Sequence, residues 1–467
     1  MYGSYLFCSV IHECRGGKKS RKNRHLRRII VNENWLSRYF RFSALKTNAR
    51  TEMLAGLTTF ISMAYILFVN PSVLGASGMD KGAVFTATAL SSALGCLIMG
   101  LVARYPIAIA PGLGVNAFFA YSVCIGMKIP WQTALAGVFI AAVIFFLITI
   151  FKLREIIIDA IPQELKLAMA AGIGLFIAFI GLHEGGLIVA NKDTVVSFAQ
   201  LNNGQVWLTI FGLVVTIILM VRKIPGAIFI GMVLTSIVGM IFQLIPLPSS
   251  IISTAPSLAP TFGVALWHIA DINTVQLAIV VLTFLLVTFF DTAGTLVGLA
   301  EQAGFIKNNK LPRVGEALLA DSTSMLLGSL LGTSPTSAYI ESSTGIAVGG
   351  RSGFTAVVTG ILFLLGMLFS PLLTVVTSQV TAPALIIVGV LMASALQKIP
   401  WDRFEIAVPA FLTVLGMPLT YSISDGIALG FLAYVVTMVT AGKWKKVHPI
   451  VYVLFVVFLI FFWALYM

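Results

Sequence analysis

Three polar side chains stand where almost nothing around them is polar. Asp291 lies in VTFFDTAGTLVGLAEQAG, Glu341 in GTSPTSAYIESSTGI and Asn116 in APGLGVNAFFA. A carboxylate in the middle of an apolar span costs at least ~2.5–3.5 kcal/mol, and neither acid has a Lys or Arg in its own span to pair with. Each must therefore be protonated, hydrogen-bonded or set in a wet cavity, and all three conditions suit a group that binds a ligand or carries a proton. The competing explanation is a helix-end acid reaching the interface, and it weighs more on Glu341 than on Asp291. An amide both donates and accepts, so Asn116 suits a heterocycle that does the same. Standing alone, it would be an ordinary interhelix packing bond.

Further candidates surround these three. Asp321, in EALLADSTSMLLGSLLG, has Ser and Thr neighbours that can satisfy it, and divides evenly between a structural and a proton-coupling role. Phe118 can stack on a flat ring, although packing is the default for any one of 33 phenylalanines. Gly114 and Thr336 lie within two of the same motifs, those of Asn116 and Glu341. The candidate ligand set is thus Asn116, Asp291, Glu341, Gly114, Phe118 and Thr336, with Asp291, Glu341 and Asp321 for proton coupling. It contains no basic residue. It suits a neutral polar ligand with N–H donors and a proton as the coupling ion, and would hold a carboxylate or sulfate poorly. Cys8, Cys14, Cys96 and Cys124 and the five histidines show no metal-ligand spacing, so neither metal nor cofactor is expected.

Positioning such groups needs unusual elements. Pro111 and Pro335 each interrupt a short apolar run rich in Gly or Ser, about half the chain apart. A proline removes one backbone hydrogen bond and crowds the preceding turn. In lipid the freed groups must face protein or a wet cavity. Two matched breaks bring two half-helix ends to a common site near the midplane, whereas one alone would as readily be a packing kink.

The chain around them is built for a bilayer. Its 467 residues are 58% hydrophobic and 10% charged, with a mean hydropathy of +0.98. A soluble domain carries about 25% charged residues, so lipid must be the solvent. Apolar runs fall near 52–70, 82–103, 106–126, 131–151, 164–181, 206–221 and 226–245, then 274–298, 316–332, 335–348, 354–376, 382–397, 404–418 and 424–441. That makes about 14 transmembrane helices. The apolar stretch 449–466 is either a further span or a helix lying on the bundle, unless 404–441 is one interrupted element.

Net charge is +12, and the basic residues alternate from loop to loop. Arg104, then Lys152, Arg154 and Lys166, then Arg222 and Lys223 mark one side, followed by Lys307, Lys310 and Arg313, Arg351, Lys398 and Arg403, and Lys443, Lys445 and Lys446. The opposite loops hold little besides Lys128 and Lys192. The positive-inside rule puts the first set, with the basic tail 1–50, in the cytoplasm. No basic domain is left over for nucleic acid. An odd number of spans per half makes the second half enter the membrane from the opposite side, the signature of an inverted repeat.

At these residues the chain resembles the AzgA-like branch of the nucleobase permeases, which holds bacterial hypoxanthine–guanine and adenine permeases. The matching stretches are AGLTTFISMAYILFVNP from 55, APGLGVNAFFAY from 110, FFDTAGTLVGLAEQAG from 289 and GTSPTSAYIESSTGIAVGGRSGFTAVVTG from 332. The resemblance implies an all-α polytopic fold of two inverted seven-helix repeats, with short strands at the broken third and tenth spans. It implies a core domain over 51–160 and 271–378 and a gate domain over 161–270 and 379–467. It places a polar site on Asn116, Asp291 and Glu341 and a homodimer through the gate. The expected activity is proton symport of a purine base across the bacterial inner membrane, by elevator-like alternating access. Two acids favour guanine and hypoxanthine over adenine. Glu341 is followed by SSTG and lacks the Asn-x-Gly of the nucleobase–ascorbate branch, which argues against xanthine, urate and ascorbate. An anion carrier would need a basic residue at the breaks. A membrane enzyme would need a nucleophile–base pair or metal set, and a channel would need a continuous polar pore.

Overall fold

A computed structural model of the chain describes residues 35–151, 161–248, 250–272, 274–305 and 313–466. Most of the basic tail, and Lys152, Arg154, Lys307 and Lys310 among the alternating charges, lie outside the described residues.

The first span is two helices, α1 (Ala49–Met63) and α2 (Ile66–Gly75), parted at Ala64 and Tyr65. Asn48 starts α1 by accepting the Thr51 N–H at 3.0 Å, a side-chain cap for a donor the helix cannot satisfy. Asp80 does the same for α3 (Lys81–Ile98), accepting from Ala83 at 2.7 Å. A five-residue π-helical segment, Met99–Ala103, closes that span. The third span opens with strand β1 (Ile109–Pro111), then becomes helix α4 (Leu113–Ala117) with a π-helical continuation to Gly126. Helices α5 (Trp131–Ile150) and α6 (Gln163–Glu184) follow. A hairpin of β2 (Ile188–Asn191) and β3 (Val195–Phe198), absent from the sequence expectation, precedes α7 (Gly204–Val221) and α8 (Ala227–Ile241).

The second half runs α9 (Val275–Gln302), α10 (Val314–Leu331), β4 (Thr336–Ala338), α11 (Ser342–Ala347) and α12 (Gly353–Gly366). It ends with α13 (Ser378–Ala393), α14 (Phe404–Thr420), α15 (Ile423–Thr440) and α16 (Pro449–Tyr466). Among the described residues, nine helical runs are long and apolar enough to cross a bilayer and four shorter ones are apolar. The stretch 404–441 is two helices, since Tyr421 takes φ 57° and turns the chain back. The stretch 449–466 is a separate helix that packs on α15 and α9.

The helices sort into two packing groups. In one, α12 lies on α1 and α3, α10 on α3 and α5, α9 on α5, and α11 on α1. In the other, α6 lies on α13 and α14, α7 on α8 and α13, and α14 on α15. Small residues allow the close approaches, as expected where lipid supplies no hydrophobic drive between helices. A methyl on Gly174 of α6 would stand 2.9 Å from the Gly389 carbonyl of α13, and one on Gly56 of α1 would stand 2.7 Å from the Thr355 carbonyl of α12. Outward faces are apolar: Phe211, Val214 and Ile218 on α7 and Val233, Ile237 and Ile241 on α8 are all exposed, as a lipid-facing surface requires.

One buried acid that the sequence reading passes over ties the first group together. Glu52 is fully buried and accepts the N–H of Arg351 at 2.9 Å, the N–H of Ser352 at 3.2 Å and the Thr355 hydroxyl at 2.5 Å. It thereby satisfies orphan donors at the start of α12 from a different helix, α1.

Candidate functional site

The two broken spans meet. β1 and β4 pair antiparallel, with Ile109 opposite Ala338, Ala110 opposite Ser337 and Pro111 opposite Thr336. Beyond the strands, the Gly112 N–H donates to the Pro335 carbonyl at 2.9 Å and the Tyr339 N–H to the Ala108 carbonyl at 3.0 Å. Side chains finish the job. The Tyr339 hydroxyl donates to the Pro111 carbonyl at 2.6 Å, and Ser342 Oγ accepts the Ala108 N–H at 2.9 Å. Each break frees backbone groups that lipid would penalise by several kcal/mol, and each break is the other's partner.

β4, with Gly112 just past β1, forms one wall of a cavity of about 310 Å³, at the lower end of the ~300–1,000 Å³ typical of small-molecule sites. The first turn of α4 supplies Leu113, Gly114 and Val115, whose amides precede the first intrahelical bond, from Asn116 N–H to Gly112 O. β4 and its exit supply Ser337, Tyr339 and Glu341, and α9 supplies Val287 and Thr295. The facing wall comes from the other packing group, with Met169 and Ile173 on α6 and Val388 and Met392 on α13. The cavity therefore lies between the two groups.

Glu341 is its main acid. It is half-buried at the N-cap of α11 and accepts the Tyr65 hydroxyl at 2.6 Å. Tyr65 is fully buried and sits at the α1–α2 break. Glu341 also borders a second cavity of about 600 Å³, lined by Thr58, Ser62, Lys223, Ser343 and Thr344 among others. The two cavities share Ile340, Glu341, Leu391 and Ser394.

The remaining candidates are placed differently. Gly114 lines the first cavity, and a methyl there would run into the Ile173 side chain. Asn116 is fully buried just behind that wall, and neither its Nδ2 nor its Oδ1 has a hydrogen-bond partner among the described residues. Thr288 and Thr292 of α9 are also fully buried, with hydroxyls unpartnered on the same terms. The Asp291 side chain lies outside the described residues; the positions one turn before and after it, Val287 and Thr295, both line the cavity. Phe118 does not line it: the ring is fully buried and meets Phe284 edge-on, with centroids 4.9 Å apart. Thr336 is in β4 but does not line the cavity; its hydroxyl donates to Ser324 Oγ of α10 at 3.0 Å. Asp321 is fully buried on α10, away from the cavity lining.

The sequence expects a site without basic residues, and here the structure differs. Lys166 and Lys398 both line the first cavity. In the sequence they read only as cytoplasmic loop charges, because nothing local reveals that α6 and the end of α13 converge. Tyr65, Ser337 and Tyr339 were also missed, although all three lie inside the motifs quoted for the resemblance. Among the described residues no cluster of His, Cys, Asp and Glu could hold a metal ion.

Comparison with known proteins gives the family and the overall fold. Residues 50–429 match the Permease family. A guanine/hypoxanthine permease of Bacillus subtilis, PbuG, is 61% identical over 433 residues, covering 91% of this chain and 98% of its own. An adenine permease of Escherichia coli, AdeQ, is 44% identical, covering 91% and 95%. Among solved structures, the transmembrane domain of the cyanobacterial bicarbonate transporter BicA matches with a TM-score of 0.56 at 14% identity, covering 84% of this chain and 97% of that one. SLC26A9 matches with a TM-score of 0.55 at 10% identity, covering 93% and 73%. At such identities the likeness speaks to the fold alone. The chain is a multi-pass membrane transporter of the Permease family, in its AzgA-like purine permease branch.

Proposed function

We propose that this transporter takes up purine nucleobases, guanine and hypoxanthine before adenine, together with a proton. The carrying observation is the Glu341 carboxyl, held by Tyr65 where two cavities meet between two groups of helices. Guanine presents its N1–H and 2-amino group side by side, which a carboxylate can accept as a pair. Adenine offers only its 6-amino group and an imidazole N–H. The unpartnered amide of Asn116 supplies a donor and an acceptor once the α4 wall yields to a ligand. Asp291, between two cavity-lining positions of α9, is assigned the coupled proton, and Glu341 the ligand.

The packing supports a mechanism of core moving against gate. The group of α1–α5 and α9–α12 acts as the core, over 51–160 and 271–378, and the group of α6–α8 and α13–α15 as the gate, over 161–270 and 379–467. The core carries the strand pair, both acids and the half-helix ends, so a movement of core against gate transfers the whole site. The second cavity, on the side of Lys223, is the cytoplasmic exit. The N-terminal tail lies in the cytoplasm, and gate domains of two copies pair.

Uptake of labelled hypoxanthine, guanine and adenine into proteoliposomes, with and without an inward proton gradient, tests this. Gradient-stimulated uptake of one base, blocked by excess of the same base, is the expected result; accumulation of none of the three would overturn the reading. Lys166 and Lys398 favour a second reading, an anion carrier on the same fold, so bicarbonate and sulfate belong in the same assay.

A further inference from the structure

Helix α15 ends before Gly442, whose φ of 69° turns the chain aside, and α16 begins at Pro449, a residue whose fixed φ suits a first helical position. The short turn Trp444–Lys446 lies between them. The Tyr452 hydroxyl of α16 donates to the Trp444 carbonyl at 3.1 Å and fastens that turn to the helix. A cavity of about 350 Å³ results, lined by Lys445, Lys446 and His448, by the buried Tyr434 of α15 and by Pro162 just before α6. Its volume falls within the ~300–1,000 Å³ of small-molecule sites.

The lining has the chemistry of an anion site. Two lysines face it, and no acid lines it among the described residues. The neighbouring acid Glu405 is paired with Lys443, and Arg403 approaches it at 3.6 Å. The Ile450 N–H donates to His448 Nδ1 at 3.3 Å, which places the hydrogen of the neutral ring on Nε2 and makes that nitrogen a donor. The N-terminal end of α16 adds the positive end of a helix dipole. Below the cavity, α16 divides lengthwise. Val451, Leu454, Phe458 and Phe461 are buried, with Phe458 against Phe431 of α15 at a centroid distance of 5.5 Å. Val453, Val456, Ile460 and Trp463 form an exposed apolar stripe at helical spacing. Trp444, 54% exposed, stands beside the cavity where an interfacial aromatic belongs. Lys445 and Lys446 are among the loop charges that the positive-inside rule assigns to the cytoplasm.

We propose that this cavity binds the headgroup of an anionic phospholipid of the cytoplasmic leaflet, with its acyl chains along the exposed stripe of α16. The phosphodiester takes the two lysines and the His448 donor. A free phosphate would use the cavity alone, whereas a lipid uses the cavity and the stripe together. A choline headgroup would bring its own cation against the lysines, so a polyol headgroup such as phosphatidylglycerol fits better. The site lies apart from the cavity at Glu341 and does not depend on which substrate is carried.

The experiment measures lipid binding to the purified full-length protein by native mass spectrometry, with phosphatidylglycerol, phosphatidylcholine and inorganic phosphate as probes. Each lysine near a lipid surface accounts for about fivefold in affinity, so phosphatidylglycerol should bind roughly 30-fold more tightly than phosphatidylcholine. Lys445→Gln with Lys446→Gln should remove that preference, and Lys445→Arg with Lys446→Arg should keep it. Should the double Gln variant fail to fold, Lys446→Gln alone must lose about fivefold. Equal binding of the two lipids by wild type, or an unchanged preference after the Gln substitutions, would overturn the proposal. Inorganic phosphate that displaces phosphatidylglycerol at matching concentration would make this a site for free phosphate, and would overturn the lipid assignment.

Discussion

Replacing Glu341 with Gln separates the charge of the site from its shape. The amide is isosteric and still offers an oxygen to the Tyr65 hydroxyl, so the 2.6 Å contact survives and no buried phenol is orphaned. What changes is the ligand side. Hydrogen bonds to a charged acceptor contribute about 1.5–3 kcal/mol, and neutral ones about 0.5–1.5 kcal/mol. Guanine makes two such bonds in the proposed pose, so the loss is about 2–3 kcal/mol, or roughly 30- to 150-fold in affinity. The amide NH₂ facing a donor on the base would add to that. Initial rates of guanine uptake in proteoliposomes, over a range of concentrations and normalised to reconstituted protein, should show the loss in KM with the thermal midpoint unmoved. Uptake by E341Q at the wild-type KM would refute the assignment of Glu341 as the ligand group.

Three other perturbations follow from the packing. Gly114→Val should abolish uptake, because its side chain meets Ile173 across the cavity; Gly114→Ala with Ile173→Ala should restore part of the rate, and no rescue would mean the contact is not what limits it. Asn116→Ala removes a buried amide with no partner among the described residues, so the thermal midpoint should hold or rise while guanine binding weakens; a drop in midpoint with unchanged binding would make Asn116 structural. Glu52→Ala strips its acceptors from the backbone donors of Arg351 and Ser352 and from the Thr355 hydroxyl, and should destabilise the protein by several kcal/mol, seen as a lower thermal midpoint with the guanine Kd of the surviving folded fraction unchanged.

Much of the site's geometry was legible because each break carries its own local signature. Pro111 and Pro335 cannot continue a helix, and the apolar context of Glu341 makes its charge expensive wherever it sits. The strands at the two breaks were implied by the family resemblance, and their pairing, Ile109 opposite Ala338 to Pro111 opposite Thr336, came only with the structure. Phe118 illustrates the opposite case: its ring suits stacking equally on a base or on Phe284, and sequence carries nothing to choose between them.

The sequence alone determined the solvent of this protein, its multi-pass character and the two interruptions, since hydropathy and proline act locally on the backbone. Tertiary structure alone decided that Tyr65 reaches Glu341 across 276 positions, that Lys166 and Lys398 turn from loop charges into cavity lining, and that Glu52 caps a helix it does not belong to. These contacts depend on which helix faces meet. Small-residue packing in lipid fixes that choice through the shape of both partners at once, and no single stretch of sequence contains both shapes.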